Sequence, residues 1–493
     1  MSVGAAGGPP GRWPALGLAA LGGLLAALGQ APWQLWPLAI GGTALAIAAA
    51  ARAPGRAGRI GWAFGTAQYL LSLHWIVEPF AVDPAVPDAA GWVAWVLLAV
   101  GLGAFQGAAF RLAPWMRARP EASIPLAMLA AEVLRMHLFT GFPWAAPGQA
   151  LAGTPLLGLA ALGGPHLLDA AVLLSAGALA MVARRPVWAA LPVLCLGACW
   201  GLLALRAPLP APPGAPLVRL VQPGVDQSEK WDPALREAHL ADQVALSAGG
   251  DAAPALVVWP ETSLLYWLHE STFLLQRIGS AAGAPVLVGA NRWDGAHVFN
   301  AAVLVGTDGT PRATYDKRHL VPFGEYVPFR GLAGRLGLEG LAQVIGEGFT
   351  PGSATPLVEV PGIGPVLVLI CYEAVFPRSL RGTARPRAIV QITNDAWFGE
   401  GAGPEQHLAQ ARIRAAESGV PLLRAANTGV TAAIDARGAV VARLAGRGAG
   451  RLDVPLPAAL GPTPYSRTGD WPVLAALALL LAAAALRPRA ARD

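Results

Sequence analysis

Eight apolar stretches constrain this chain more than any other feature; they lie near residues 13–30, 35–51, 60–79, 91–110, 124–139, 156–182, 187–205 and 471–486. A helix that crosses a bilayer needs about 20 consecutive apolar residues, with a working range of roughly 17–25. Several stretches approach that length, although glycine and proline interrupt them. In lipid the backbone must satisfy its own N–H and C=O groups, so helices are the form such segments take. The sequence therefore predicts a multi-pass α-helical membrane bundle of about eight spans. Composition agrees, with 54% hydrophobic and only 13% charged residues, against about 25% charged in soluble domains.

Arginine orients the bundle. Arg12 precedes the first span; Arg52, Arg56 and Arg59 follow the second; Arg111, Arg117 and Arg119 follow the fourth; Arg184 and Arg185 follow the sixth; Arg487, Arg489 and Arg492 follow the last. The alternate short loops near 31–34, 80–90 and 140–155 carry neither Lys nor Arg, and the middle one carries Asp83 and Asp88. With eight spans every charged loop falls on one side, which is cytoplasmic by the positive-inside rule. The formal net charge of +6 is then membrane-orienting charge; no basic stripe interleaved with aromatics suggests nucleic acid. Arg12 and the small residues near Ala31 give the first span some features of a cleaved signal, but we expect it to be retained. Glu132 and Arg135, three residues apart in the fifth span, are expected to pair.

This reading divides the chain into a bundle of about seven helices over 1–205, a Pro-rich linker over 206–215, an extracytoplasmic domain over 216–460, and a last span with a cytoplasmic tail over 461–493. In the third part the texture changes. LVRLVQPG, ALVVWPE, PVLVGAN, FNAAVLVG, PVLVLICYE, AIVQITND and VTAAIDARGAVVARL read as strands, and 230–247, 268–282 and 404–419 as helices. Continuous apolar runs fit strands buried on both faces, and the alternation predicts an α/β layered domain.

Three polar groups stand at or near strand ends in this domain: Glu261 after LVVW, Lys317 in YDKRHLVPFGEYVP, and Cys371 after LVLI. Cys195 and Cys199 read as small apolar residues of one helix, which leaves Cys371 alone in the extracytoplasmic part. Lysine is rare here: of 36 basic residues only Lys230 and Lys317 are Lys. A thiol becomes a strong nucleophile when a base removes its proton. A carboxylate screened from water can be that base, and an ammonium can stabilise a tetrahedral oxyanion. Cys, Glu and Lys together make an acyl-transfer site without histidine. His407 is far from Cys371 in sequence, and no metal-ligand spacing or cofactor motif is present.

These motifs resemble the carbon–nitrogen hydrolase (nitrilase) superfamily, whose Glu–Lys–Cys triad has this chain order. WPETS, YDKRHLVPFGEYVP, CYEAVFP, NDAWFG and GPEQHLAQARIRAAE, with GWAFGTAQYLLSLHWI and GFPW in the membrane part, resemble more closely the apolipoprotein N-acyltransferase family. The resemblance covers roughly 12–487 and implies a nitrilase-like αββα sandwich beside the bundle. It implies Cys371 as nucleophile, Glu261 as general base and Lys317 as oxyanion stabiliser. Glu325 would hold Lys317, Tyr372 and Glu373 would shape the nucleophile turn with the Tyr372 N–H completing an oxyanion hole, and Trp231 would stand near the entrance. The implied reaction moves an acyl chain from the sn-1 position of a phospholipid, phosphatidylethanolamine by expectation, through a Cys371 thioester to the α-amino group of a diacylglyceryl-cysteine on an apolipoprotein. The implied place is the bacterial inner membrane with the catalytic domain in the periplasm; a monomer and no cofactor are expected.

Two rivals remain at this level. A membrane-tethered hydrolase of a small amide or nitrile would use the same triad with water as acceptor. A transporter with an outer binding domain would need more paired charges within the membrane than Glu132 and Arg135. Apolar residues after Glu325 (Phe329, Leu332, Leu336, Leu338 and Leu341) and in LLYWLHE after Glu261 are expected to form mobile arms on the outer leaflet.

Overall fold

The computed structural model describes residues 12–82, 87–250, 252–326, 328, 348–377, 384–444 and 446–486. The arm residues Phe329, Leu332, Leu336, Leu338 and Leu341, the loop residue Asp83 and the tail arginines lie outside them. Two compact units are present. The first holds the chain up to Val77, Gly91–Arg206 and the segment from Thr468; the second holds Glu78–Ala90 and Ala207–Arg467.

The first unit is helical: α1 (Arg12–Leu28), α2 (Trp36–Arg52), α3 (Ala57–Ser72), α4 (Asp88–Leu112), α5 (Pro120–Arg135), α6 (Ala160–Ala180), α7 (Pro186–Ala204) and the C-terminal helix Trp471–Leu486. Each of the apolar stretches read from the sequence overlaps one of these helices. Length separates them. Two helical segments, Ala89–Trp115 and Pro155–Ala180, are long and apolar enough to cross a membrane, and the α2–α3 pair, bent by 115°, makes up to three. At about 1.5 Å per residue, helices of 16 or 17 residues such as α1, α2, α3 and α5 fall short of a core about 30 Å thick. Glycine lets α1 and α2 meet closely: a Cβ on Gly22 would stand 2.5 Å from the Gly42 carbonyl oxygen, so neither position accepts a side chain. Glu132 and Arg135 pair, as their spacing predicts, and Gln106 Nε2 donates to Glu132 Oε1 at 2.7 Å. Arg135 also donates to the carbonyl of Trp144 at 2.7 Å, tying the end of α5 to the loop that follows.

The second unit holds two six-stranded sheets. The strands are β1 (Leu217–Gln222), β2 (Leu256–Val258), β3 (Val286–Trp293), β4 (Val298–Val305), β5 (Pro311–Asp316), β6 (Leu357–Val360), β7 (Gly364–Ile370), β8 (Ala388–Thr393), β9 (Leu422–Ala426), β10 (Ala432–Ile434), β11 (Val440–Arg443) and β12 (Gly450–Pro455). One sheet runs β12-β1-β2-β3-β4-β5 and the other β11-β10-β9-β8-β7-β6. Each has a parallel centre, β1-β2-β3 and β7-β8-β9, flanked by antiparallel strands. The sheets face each other through β1 with β9 and β4 with β7.

Helices α8 (Arg236–Ser247) and α9 (Thr272–Ala282) cover the outer face of the first sheet, where Leu240, Leu275 and Ile278 pack on Val257, Val286 and Val303. Helix α10 (Ala402–Ser418) covers the second, with Leu408, Ala411 and Ala415 on Leu367, Ile389 and Leu422. The order of layers is helix, sheet, sheet, helix, the α/β sandwich expected for this segment. Helix α8 starts six residues later than its sequence pattern suggests, because Asp232 and Pro233 hold a turn in which the Ala234 N–H bonds Asp232 Oδ1.

Candidate active site

The parallel strands deliver the site, since their carboxyl ends open on one side of each sheet. Glu261 follows β2, Cys371 follows β7, Asn394 and Asp395 follow β8, and Asn427 follows β9; Asn300 lies on β4 and Lys317 follows β5.

Glu261 is almost fully buried and every polar atom of its carboxylate is engaged. Oε1 accepts from Asn300 Nδ2 at 2.8 Å and from Lys317 Nζ at 3.1 Å; Oε2 accepts from the Asn394 N–H at 3.0 Å. Burial alone would raise its pKa, but the Lys317 charge and these hydrogen bonds bring it below the usual carboxylate value. Lys317 also donates to Glu325 Oε1 at 2.8 Å, and Asn300 Nδ2 reaches the same oxygen at 3.1 Å. Glu325 Oε2 accepts from the Val321 N–H at 2.8 Å, which fixes the loop that carries it. Burial disfavours the Lys317 ammonium, but Glu261 and Glu325 outweigh that and hold its pKa well above the ordinary value.

Cys371 sits 6% exposed where β7 ends and a single helical turn, Cys371–Val375, begins. Its φ is +46°, a left-handed conformation that a residue with a Cβ adopts at a cost of about 1–2 kcal/mol. Glu373 holds the turn: its Oε2 accepts from the Ile370 N–H at 2.9 Å, and its Oε1 accepts from Tyr315 OH at 2.7 Å and the Arg318 N–H at 2.8 Å. One buried carboxylate thus binds the Cys371 turn to the segment that carries Lys317. The Tyr372 ring packs edge-on to Phe376 at 5.1 Å.

Burial, then the Glu261 charge, push the Cys371 thiol up to about 12, with Lys317 and the Thr393 hydroxyl pulling the other way. The resting group at neutral pH is therefore a thiol beside an ionised carboxylate. We expect the thiolate ultraviolet absorbance of wild type minus Cys371→Ser to show no step between about pH 6 and pH 10; a step anywhere in that range would refute this.

Of the sequence-predicted residues, Glu261, Lys317 and Glu325 form one hydrogen-bonded group, and Cys371 is electrostatically coupled to Glu261 and Lys317. Trp231 stands apart, with 48% of its surface exposed; no hydrogen bond or ring contact among the described residues joins it to that group. The LLYWLHE segment corrects its expectation in part. Leu264 and Leu265 are buried, and the Leu264 N–H bonds the Gly289 carbonyl at 3.0 Å, so the segment begins as packed core because that extended backbone pairs beside β3. Only its end, with Trp267 40% exposed, is open.

Sequence reasoning missed a second buried network behind the cysteine. His407 Nδ1 lies 3.0 Å from Asp395 Oδ1 and its Nε2 3.2 Å from the Cys371 carbonyl oxygen. Gln391 Nε2 donates to the same carbonyl at 3.3 Å, and Arg424 pairs with Asp395 Oδ2. All four side chains are inaccessible to solvent. Burial and the Arg424 charge lower the His407 pKa, so the ring rests neutral.

A buried Glu–Lys–Glu group beside a strained strand-end cysteine, in an αββα sandwich, defines the carbon–nitrogen hydrolase class, and the carbon-nitrogen hydrolase family profile matches residues 217–460. The profile of the apolipoprotein N-acyltransferase N-terminal domain matches residues 22–178. The chain belongs to the apolipoprotein N-acyltransferase family. It is 34% identical to the apolipoprotein N-acyltransferase of Rhodopseudomonas palustris, over 97% of this chain and 96% of that one. The Rhizobium meliloti relative of the same name is 36% identical over 74% and 73%. Among solved structures, a carbon–nitrogen hydrolase superfamily protein from Xanthomonas campestris matches 54% of this chain and 97% of its own at 19% identity and a TM-score of 0.37.

Proposed function

We propose that this protein transfers an acyl chain from a phospholipid to the α-amino group of the N-terminal diacylglyceryl-cysteine of apolipoproteins, through a thioester on Cys371. The observation that carries this reading is the convergence of Glu261 and Lys317, hydrogen-bonded at 3.1 Å, with a buried cysteine electrostatically coupled to both, in a chain whose relatives carry that activity in their names.

In the first step Glu261 takes the Cys371 proton as the sulfur attacks the sn-1 ester carbonyl, with phosphatidylethanolamine as the expected donor. Lys317 and the Tyr372 N–H stabilise the oxyanion. Glu261 then returns its proton to the departing glycerol oxygen, which leaves as lysophospholipid and completes the thioester. In the second step the acceptor amine attacks the thioester, Glu261 takes a proton from nitrogen, and the Cys371 sulfur leaves with a proton as thiol. Glu325 holds Lys317, Glu373 holds the Cys371 turn, and Trp231 borders the entrance. An apolar surround limits competing water.

The same reading assigns eight spans and the boundaries 1–205, 206–215, 216–460 and 461–493. It places the catalytic domain in the periplasm of a bacterial inner membrane and treats the protein as a monomer. Both substrates keep their tails in the bilayer, which gives the helical unit its purpose.

The test is intact mass. After incubation with phosphatidylethanolamine, wild type should gain the mass of one acyl chain, hydroxylamine should remove it, and Cys371→Ala should gain nothing. A diacylglyceryl peptide should then discharge the adduct and become N-acylated. Folded protein that forms no adduct and instead releases ammonia from small amides would overturn the reading in favour of hydrolysis.

A further inference from the structure

Lys230, one of only two lysines in the chain, has no place in the mechanism above. The structure brings it to the same glutamate as Lys317, at a different atom. Lys317 Nζ bonds the Glu261 carboxylate, while Lys230 Nζ lies 3.4 Å from the Glu261 main-chain carbonyl oxygen. Lys230 is only 3% exposed. Its small pocket is walled by Pro223, Val225, Pro260 and Leu265 and by the polar Ser263 and Asn427, with Glu261 the one other titratable member of the lining among the described residues. Gln243 also lines it, and Gln243 Oε1 has no hydrogen-bond partner among the described residues. A buried ammonium carries three donors; here a single long contact is described. Cations are rarely buried so sparsely unless a nearby negative charge compensates, and that charge is Glu261.

We propose, on the basis of the acyl-transfer reading, that Lys230 is a positioning residue: it holds the Glu261 peptide through its carbonyl oxygen and supplies a positive charge that makes Glu261 a better proton donor to the leaving glycerol oxygen. Glu261 has opposed duties, accepting the thiol proton and then giving it up. Lys317 stays charged throughout the working range, with Glu325 facing it. Lys230 is the cation that can be discharged: burial brings its pKa down to about 8, against the pull of Glu261. Arginine would not serve, since its guanidinium is larger and keeps its proton. Among the described residues the charged or titratable groups around Glu261 are Lys317, Lys230 and Cys371, with Glu325 beyond Asn300.

The chain's two lysines make the test direct. Full-length protein labelled with 13C at lysine Cε should give two lysine resonances, assigned by Lys230→Met. One should titrate near pH 8 and shift its midpoint downward in Glu261→Gln, where the compensating charge is gone. A Lys230 signal that does not titrate below about pH 10, or one indifferent to Glu261→Gln, would overturn the proposal. The Cys371 acylation rate supplies a second readout. Wild type should show a basic limb near pH 8; Lys230→Met should lack it and lose about tenfold in the maximal rate with little change in KM. Equal loss across all pH values, or recovery in Lys230→Leu of matched thermal stability, would mark Lys230 as structural only. If wild type shows the titration but forms no acyl-enzyme, the acyl-transfer reading fails while the Lys230–Glu261 coupling stands.

Discussion

Replacing Lys317 by methionine should abolish acyl-enzyme formation, with a loss of at least about a thousandfold, and should destabilise the second unit as well. Removing one oxyanion donor costs about 10²–10³ in rate; in the proposed acyl transfer Lys317 is such a donor, and its place in the structure adds to the loss. Its ammonium separates Glu261 from Glu325, two buried carboxylates that share the Asn300 side chain. Without it they face each other and one must take up a proton, so the Glu261 carboxylate no longer stays reliably ionised. Breaking a buried ion pair from one side costs about 3–5 kcal/mol. The sign with pH follows from the shifts. The Lys317 pKa is raised by folding, so its contribution is complete below the ordinary lysine value and lost only as pH rises through the folded one. The Glu261 pKa is lowered, so its contribution is present above the ordinary carboxylate range and lost on acidification. Thermal unfolding should therefore show the widest gap between wild type and Lys317→Met near neutrality, closing below about pH 4. A variant as stable as wild type at pH 7 would contradict this.

The second large effect concerns the network behind the cysteine. Arg424→Leu should destabilise by about 3–5 kcal/mol at pH 8, since Asp395 would keep its charge in the core without its partner. The deficit should shrink on acidification. In wild type Arg424 helps to keep His407 neutral. Once Arg424 is gone, Asp395 at 3.0 Å favours the imidazolium, and the His407 pKa should rise above its unfolded value. A raised histidine pKa contributes stability that is complete below about pH 6.5 and lost at higher pH. Denaturant unfolding at about pH 5 and pH 8 should show the deficit smaller at the lower pH by on the order of 1 kcal/mol. A deficit that grows on acidification would exclude this account of His407.

Much of the site was legible because its chemistry sits at strand ends. LVVWPE and LVLICYE each announce a buried strand that stops at a titratable group, and scarcity singled out both lysines. Asn300 was not legible: within FNAAVLVG it reads as one polar residue in a strand, and only the pairing of β4 with its neighbours shows that its amide spans two glutamates. Asp395, His407 and Arg424 lie on three elements, and no local period links them. Among strands, β5 (PRATYD), β6 (LVEV) and β12 (GRLDVP) were missed because these edge strands carry polar residues, and β9 because buried Arg424 interrupts a short apolar run. In the membrane part hydropathy located every helix, yet glycine and proline breaks set lengths that apolar content alone does not reveal.

The backbone at Cys371 has a consequence for anyone who would engineer this enzyme. A φ of +46° suits glycine better than any residue with a side chain, so the chain's thermodynamic preference at this position opposes its chemistry. Libraries ranked by heat resistance alone will drift toward the inert residue here. If Cys371 is the nucleophile, only selection for turnover keeps sulfur in place.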